Sequence, residues 1–167
     1  VPLADEKSLA QFKMLQEELK TAGYEHYEIS NFAKNDCISK HNSAYWLGEK
    51  YIGIGPSAHS FNGVSRQWNV ANNIKYINAI KENLPYFEIE ELSQADKFNE
   101  YILTRLRTKW GVVISDLFEI DDSEKDRIEK EINGFLKSGD LSINKDVLLL
   151  TDQGKFIADH ISAQLFI

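Results

Sequence analysis

The chain has 167 residues, 43% of them hydrophobic and 27% charged, with a formal net charge of −7. That length allows one domain or two small ones around a sizeable core, and that balance is globular rather than disordered. There is no run of eighteen apolar residues, the first residues lack the basic start and apolar stretch of a signal peptide, and a single cysteine excludes an internal disulfide. A protein of a reducing cytoplasm, without a transmembrane segment, is expected.

Residues 4–22 place Leu9, Phe12, Leu15 and Leu19 at helical spacing, and Gly23 suits the left-handed residue that closes a helix. YEHYEIS, residues 24–30, alternates aromatic and polar side chains as a short strand does. Helix, glycine and strand make the αβ step of an α/β layer. Its position at the very start predicts that an earlier part of the fold is missing. Residues 35–50 show no clean period, which predicts a loop with one helical turn at 43–47. YIGIG, residues 51–55, reads as a short strand whose glycines allow close backbone approach. AHSFN and SRQWNV predict a β-hairpin turning at Asn62 and Gly63.

Beyond Asn72, Ile74, Tyr76, Ile77 and Ile80 predict a short helix ending at Asn83. Ser93 and Asp96 resemble a capping box, and Phe98, Tyr101, Ile102, Leu106 and Trp110 form a stripe that Gly111 closes. A turn is expected at 115–118, then a helix over 123–137 with Ile128, Ile132, Phe135 and Leu136 on one face. Residues 141–143 and 147–150 flank Asn144, Lys145 and Asp146 as a hairpin. Thr151 opens a last helix that should bury Phe156, Ile157, His160, Ile161 and Leu165. Three helices, a hairpin and a closing helix resemble a winged-helix domain. The expected class is α+β, divided near 70–72 into segments 1–70 and 71–167.

Chemistry concentrates in residues 24–61, which hold three of the four histidines, the only cysteine and four of the seven tyrosines. In HNSAYW, His41 offers an imidazole that can ligate iron, and Tyr45 and Trp46 offer rings that can stack on a planar ligand. The alternative is a loop anchored by its aromatics, with His41 hydrogen-bonded to backbone. His59, close after Gly55 and Pro56, either contacts a ligand lying against the glycine backbone or faces solvent from the hairpin. Glu28, followed by Ser30 and Asn31, can bind a ligand amine or hydroxyl at a strand end, or be a plain surface carboxylate. His26 and His160 are weaker candidates; His160 lies on an apolar stripe where a core histidine is usual. Gly53-x-Gly55-x-x-Ala58 has the letters of a dinucleotide fingerprint but lacks its context: Pro56 follows, a hairpin comes next, and no acid lies about twenty residues on. Cys37 alone can neither hold an iron–sulfur cluster nor complete a zinc site.

GYEHYEISNFAK, KHNSAYW and YIGIGPSAHSF, in this order, resemble the radical SAM proteins related to anaerobic coproporphyrinogen III oxidase, and most closely their haem chaperone branch, HemW. LTDQGKFIADHI resembles the helical domain at that family's C-terminus. The resemblance implies that this chain begins at the last helix and strand of a partial (βα)6 barrel, the edge of a radical SAM core, and continues through a hairpin extension into the winged-helix-like domain. It implies haem binding through the H-N-x-x-Y-W residues His41, Asn42, Tyr45 and Trp46, with Glu28, Ser30, Asn31, Gly55 and His59 as cavity-lining candidates. A four-iron four-sulfur cluster and S-adenosylmethionine are implied for the full-length protein only, because the cysteine triad that holds the cluster is absent here. The stretch alone should therefore have no radical chemistry and no catalytic residue.

The expected function is haem binding and transfer to an acceptor protein, with the radical SAM core of the same protein and haem as partners. The alternative is the oxidase of porphyrin biosynthesis, which oxidatively decarboxylates coproporphyrinogen III; the H-N-x-x-Y-W run marks the chaperone branch instead. A winged-helix DNA-binding module is a third reading. Residues 1–70 carry seven Lys/Arg against eight Asp/Glu, and residues 71–167 twelve against eighteen. The winged-helix half is thus about −6, the wrong sign for phosphate contacts, and no nucleic acid partner is expected.

Overall fold

The computed structural model describes residues 5–167, so the expected helix start at Ala4 lies outside the described residues. Helix α1 (Asp5–Thr21) ends in a Schellman cap: Tyr24 N–H donates to Leu19 O and Gly23 N–H to Lys20 O, with Gly23 at φ +80°. The chain then forms a small antiparallel hairpin, β1 (Glu25–Glu28) against β2 (Asn31–Ala33). The strand expected at 24–30 is present. Its partner β2, in NFA, gave no period-2 signal because it is only three residues long.

Residues 40–46 form a two-turn helix, α2 (Lys40–Trp46), longer than the single turn expected at 43–47. The YIGIG strand is not there. Tyr51 alone bridges Phe61, and Ile52 and Ile54 are 82% and 88% exposed. Gly53 explains this: its N–H donates to the Ser60 hydroxyl at 2.9 Å instead of joining a ladder. An added Cβ there would collide with the His59 carbonyl, so the glycine does serve close backbone approach. The hairpin at Asn62 and Gly63 forms as read, β3 (His59–Phe61) with β4 (Ser65–Asn69), and the Asn62 carboxamide accepts from Val64 N–H and Ser65 N–H. Helix α3 (Asn73–Glu82) is capped by Asn72 and stopped by Asn83 at φ +54°. A strand not foreseen, β5 (Phe87–Glu91), pairs with β4 and carries the sheet across residues 70–72.

The capping box is real. Ser93 accepts from Asp96 N–H, and Asp96 accepts from Ser93 N–H, opening α4 (Gln94–Leu106). Helix α4 ends at Leu106, so Trp110 is not on its stripe; Phe98, Ile102 and Leu106 are the buried positions. Strand β6 (Val112–Val113) follows, then α5 (Ile114–Ile120) where only a turn was expected, and α6 (Lys125–Ser138). The second hairpin, β7 (Leu141–Asn144) with β8 (Val147–Leu150), takes β6 as a third strand in the order β6-β8-β7. A 3₁₀ turn over Gly154–Ile157 precedes α7 (Ala158–Leu165). That turn rephases the last helix: it buries Ala158, Ile161, Ser162 and Leu165, leaving Phe156, Ile157 and His160 exposed.

The fold is thus mixed α and β, with seven α-helices and three small antiparallel sheets among the described residues. Its hydrophobic core lies within residues 98–165, where α4 is flanked by Val112, Leu117, Ile128, Ile132, Leu141, Leu148, Ile161 and Leu165. Each such fully buried aliphatic or aromatic side chain contributes about 1.5–3 kcal/mol. Residues 5–90 bury far less, and Met14, Leu15, Ile74, Ile77 and Ile80 stay exposed. No helix among the described residues is long and apolar enough to cross a membrane.

Candidate functional site

Helix α2 begins where Ser39, in an extended conformation, accepts a hydrogen bond from Asn42 N–H at 3.2 Å. Its seven residues, Lys40 to Trp46, turn the HNSAYW run into two i,i+4 pairs. His41 and Tyr45 are both exposed, with their rings edge-on at a centroid distance of 5.0 Å. Asn42 and Trp46 are half-buried on another side of the same helix. The aromatic line continues from Tyr45 to Tyr51 at 4.8 Å and from Tyr51 to Phe61 at 6.2 Å. Tyr51 and Phe61 are held in register by reciprocal backbone hydrogen bonds of 2.9 Å.

Two arginines at the C-terminal end of α4, Arg105 in its last turn and Arg107 at its cap, contact this helix. Arg105 donates to Leu47 O at 3.3 Å, just past the C-terminus of α2. The Arg107 guanidinium lies 5.4 Å from the Trp46 ring centroid, a cation–π contact. The indole N–H of Trp46 and the hydroxyl of Ser43 are buried without a hydrogen-bond partner among the described residues.

Glu28 explains where Arg107 gets its position. The residue is 2% exposed and its carboxylate is met by protein donors on both oxygens. Oε1 accepts from Arg107 Nε and Nη2, both at 3.2 Å; Oε2 accepts from Ser30 N–H at 2.9 Å and from the Asn31 carboxamide. Arg107 Nη1 also reaches Asp159 at 3.0 Å. A cavity of about 230 Å³ touches Glu28, Arg107 and Lys155, but the carboxylate itself is occupied by these protein donors. The buried Glu28, held by Ser30 and Asn31, thus ties the first hairpin to the end of α4 through Arg107, which in turn reaches α7 at Asp159. Arg107, 79 residues from Glu28, had no signal in the sequence.

The remaining candidates are dispersed. Gly55 sits at φ +106°, its carbonyl accepting from the buried Asn69 carboxamide at 2.9 Å. His59 is exposed on β3 opposite Trp68. The imidazole of His26 stacks on Phe32 at 4.1 Å, and its Nε2 donates to Ile29 O at 2.9 Å, leaving Nδ1 to accept from the Lys155 ammonium at 3.4 Å. Burial lowers the pKa of His26, and the nearby Lys155 charge adds to the effect against the Ile29 hydrogen bond. His160 is exposed, with its ring edge toward Phe135.

A cavity of about 390 Å³ lies beside the motif helix, and several of its residues escaped the sequence reading. Tyr45 and Trp46 line it from α2, Tyr51 and Phe61 from the hairpin region, and Tyr101 from α4. Its size falls within the range of about 300–1,000 Å³ usual for small-molecule sites. His41 is not on this lining and abuts it through Tyr45. Lys97, Tyr101 and Arg105 do recur at i,i+4, a signal that was present in the sequence but masked by the apolar stripe beside it.

Compared with curated proteins, the chain is 31% identical to the haem chaperone HemW of Mycobacterium tuberculosis over 149 residues, 89% of this chain. It is 29% identical to HemW of Bacillus subtilis over 158 residues, 93% of this chain. This chain is a relative of HemW. It spans 36% and 42% of the length of those two relatives. Among solved structures, the coproporphyrinogen III oxidase HemN of Escherichia coli, described as a radical SAM enzyme, matches 98% of this chain and 42% of its own with a TM-score of 0.73. At 16% identity that match concerns the fold. No family model matches the chain.

The HemW relationship brings with it the question of an iron–sulfur cluster. Cys37 is the only cysteine, it is exposed, and no group of three His, Cys, Asp or Glu among the described residues is arranged to hold a metal ion. These residues do not fit a cluster. What the described residues do bring together is an exposed imidazole, a line of aromatic rings and a cavity beside them.

Proposed function

We propose that this chain is the C-terminal part of a radical SAM haem chaperone of the HemW type, which binds haem and passes it to an acceptor protein. One observation carries the reading. Helix α2 presents His41 and Tyr45 together to solvent, next to an aromatic-lined cavity, while Trp46 is held against Arg107. In this reading His41 supplies a nitrogen to the haem iron. The Tyr45 ring packs at the macrocycle edge, and Asn42 and Trp46 keep the helix at a fixed angle. His59, exposed on β3, and Gly55, four residues before it, lie outside the lining of that cavity and have no part in this reading.

The rest of the protein supplies what is not here. The four-iron cluster and S-adenosylmethionine belong to its radical SAM core, of which α1 and β1 form the barrel edge. Exposed Met14 and Leu15 on α1 support a covering partner on that helix. The order α4, β6, α5, α6, β7, β8, α7 with sheet order β6-β8-β7 supports the winged-helix description of the second segment, 71–167, as a structural domain. Glu124 at the N-terminal cap of α6 and Asp126 and Glu129 on it are exposed, which opposes its use on DNA. The lone unpaired thiol is consistent with a cytoplasmic setting.

The test uses the full-length protein with its cluster reconstituted. Titration with haem should give a saturable Soret band, and incubation with coproporphyrinogen III should give no protoporphyrinogen IX. Turnover of coproporphyrinogen III without haem binding would replace the chaperone reading by the oxidase.

A further inference from the structure

The cavity beside the motif helix has a polar wall that the aromatic motif does not explain. Helix α4 turns Lys97, Glu100, Tyr101, Thr104 and Arg105 toward it, at i, i+3, i+4, i+7 and i+8. One rigid helix face therefore forms the wall. Arg66, from β4, meets Glu100 across the cavity with Nη1 2.7 Å from its carboxylate.

Three cations against two acids, Glu49 and Glu100, line a cavity in a chain that is acidic as a whole. The pairing is uneven. Glu100 is committed to Arg66; burial raises its pKa and the Arg66 charge opposes that rise. Lys97 is half-buried, and its ammonium has no carboxylate within ion-pair distance among the described residues. Arg105 lies 5.6 Å from the Tyr101 ring centroid and gives one bond to Leu47 O, a neutral acceptor. Two cations beside aromatic walls, partly out of water and without a counter-charge, favour an anion that brings its own apolar body.

We infer that Lys97 and Arg105 are the carboxylate-anchoring end of the ligand site, pairing with the ionised propionates of a tetrapyrrole whose apolar ring lies against Tyr45, Tyr51 and Phe61. This rests on the haem reading above and assigns the specificity of the same site. The two residues are eight positions apart, about 12 Å along the helix axis. Their long side chains converge on two neighbouring carboxylates from either end, and Tyr101 between them supplies the apolar step. The Arg66–Glu100 pair closes the site on the hairpin side, so the third cation is not open to the ligand.

The test compares haem with haem dimethyl ester, in which both propionates are neutral, on the full-length protein. Wild type should bind haem about tenfold to a hundredfold more tightly than the ester, the fold-change of one charge-assisted hydrogen bond or slightly more. That preference should shrink as salt rises. The Lys97→Gln/Arg105→Gln variant should lose the preference by weakening haem alone, with ester affinity unchanged. Equal affinity of wild type for haem and ester, at any salt, overturns the inference while leaving haem binding intact. Absence of haem binding by wild type overturns both. The ester comparison needs no variant, so a double variant that fails to fold does not protect the proposal.

Discussion

Replacing Arg107 by Met should destabilise the protein by about 3–4 kcal/mol, a loss dominated by one buried charge. The Glu28 side chain is 1% exposed and that of Arg107 20%. Removing the guanidinium leaves Oε1 of Glu28 without a partner, while Oε2 keeps Ser30 N–H and the Asn31 carboxamide. Breaking a buried pair from one side costs about 3–5 kcal/mol, and the retained donors place this case near the lower figure. The Asp159 leg adds little, because that side chain is 82% exposed and such pairs are worth about 0–1 kcal/mol. Loss of the Trp46 contact adds about 0.5–1 kcal/mol. At about 2–4 °C per kcal/mol for a chain of this size, the midpoint should fall by about 6–16 °C. Urea unfolding followed by tryptophan fluorescence measures it, with Asp159→Asn as a control expected within about 1 kcal/mol of wild type. Glu28→Gln/Arg107→Met should be more stable than the sum of the single losses predicts, by about 1.5 kcal/mol or more, since the double variant leaves no orphaned charge. An Arg107→Met loss below about 1 kcal/mol, or additive single losses, would refute the reasoning.

Two further predictions concern the first half of the chain. Gly53→Ala should cost about 1–3 kcal/mol and shift the His59 amide signal, because the new Cβ must displace the His59 carbonyl; a neutral effect would remove close approach as the reason for that glycine. The pKa of His26 is held below its usual value, so the folded state binds its proton more weakly than the unfolded chain does. Its contribution is therefore present above about pH 6.5 and is lost as pH falls from there through the lowered folded value. Lys155, Asp152 and Glu28 face this ring, and the Lys155 charge pushes in the same direction as burial. Stability measured from pH 8 to 5 should fall more for wild type than for His26→Gln, whereas parallel curves would assign the pH dependence to other groups.

The features legible in the sequence were those settled by neighbours in the chain. Gly23 after a helical run, the Ser93 and Asp96 box, and Asn62-Gly63 between short strands each fix their own backbone within about six residues, and each formed as read. Elements decided at long range were not legible. FEIEE becomes β5 only because β4 offers it an edge, and nothing in YIGIG announces that Gly53 would bond to a serine hydroxyl instead of a strand. The last helix misled through phase: one 3₁₀ turn rotates the face, so the apolar residues Phe156 and Ile157 point outward. In the candidate site, the grouping of His41 with Tyr45 followed from i,i+4 spacing once the segment was helical. The Glu28–Arg107 tie did not, because it joins residues 79 positions apart.

The central claim is that α2 offers His41 to a haem iron. The most direct measurement is the absorption and resonance Raman spectrum of ferric haem bound to full-length protein carrying His41→Ala, with and without added imidazole. The account predicts loss of the imidazole-ligated signature in the variant, its return when free imidazole fills the vacated coordination position, and no change in His59→Ala. An unaltered spectrum in His41→Ala would contradict it.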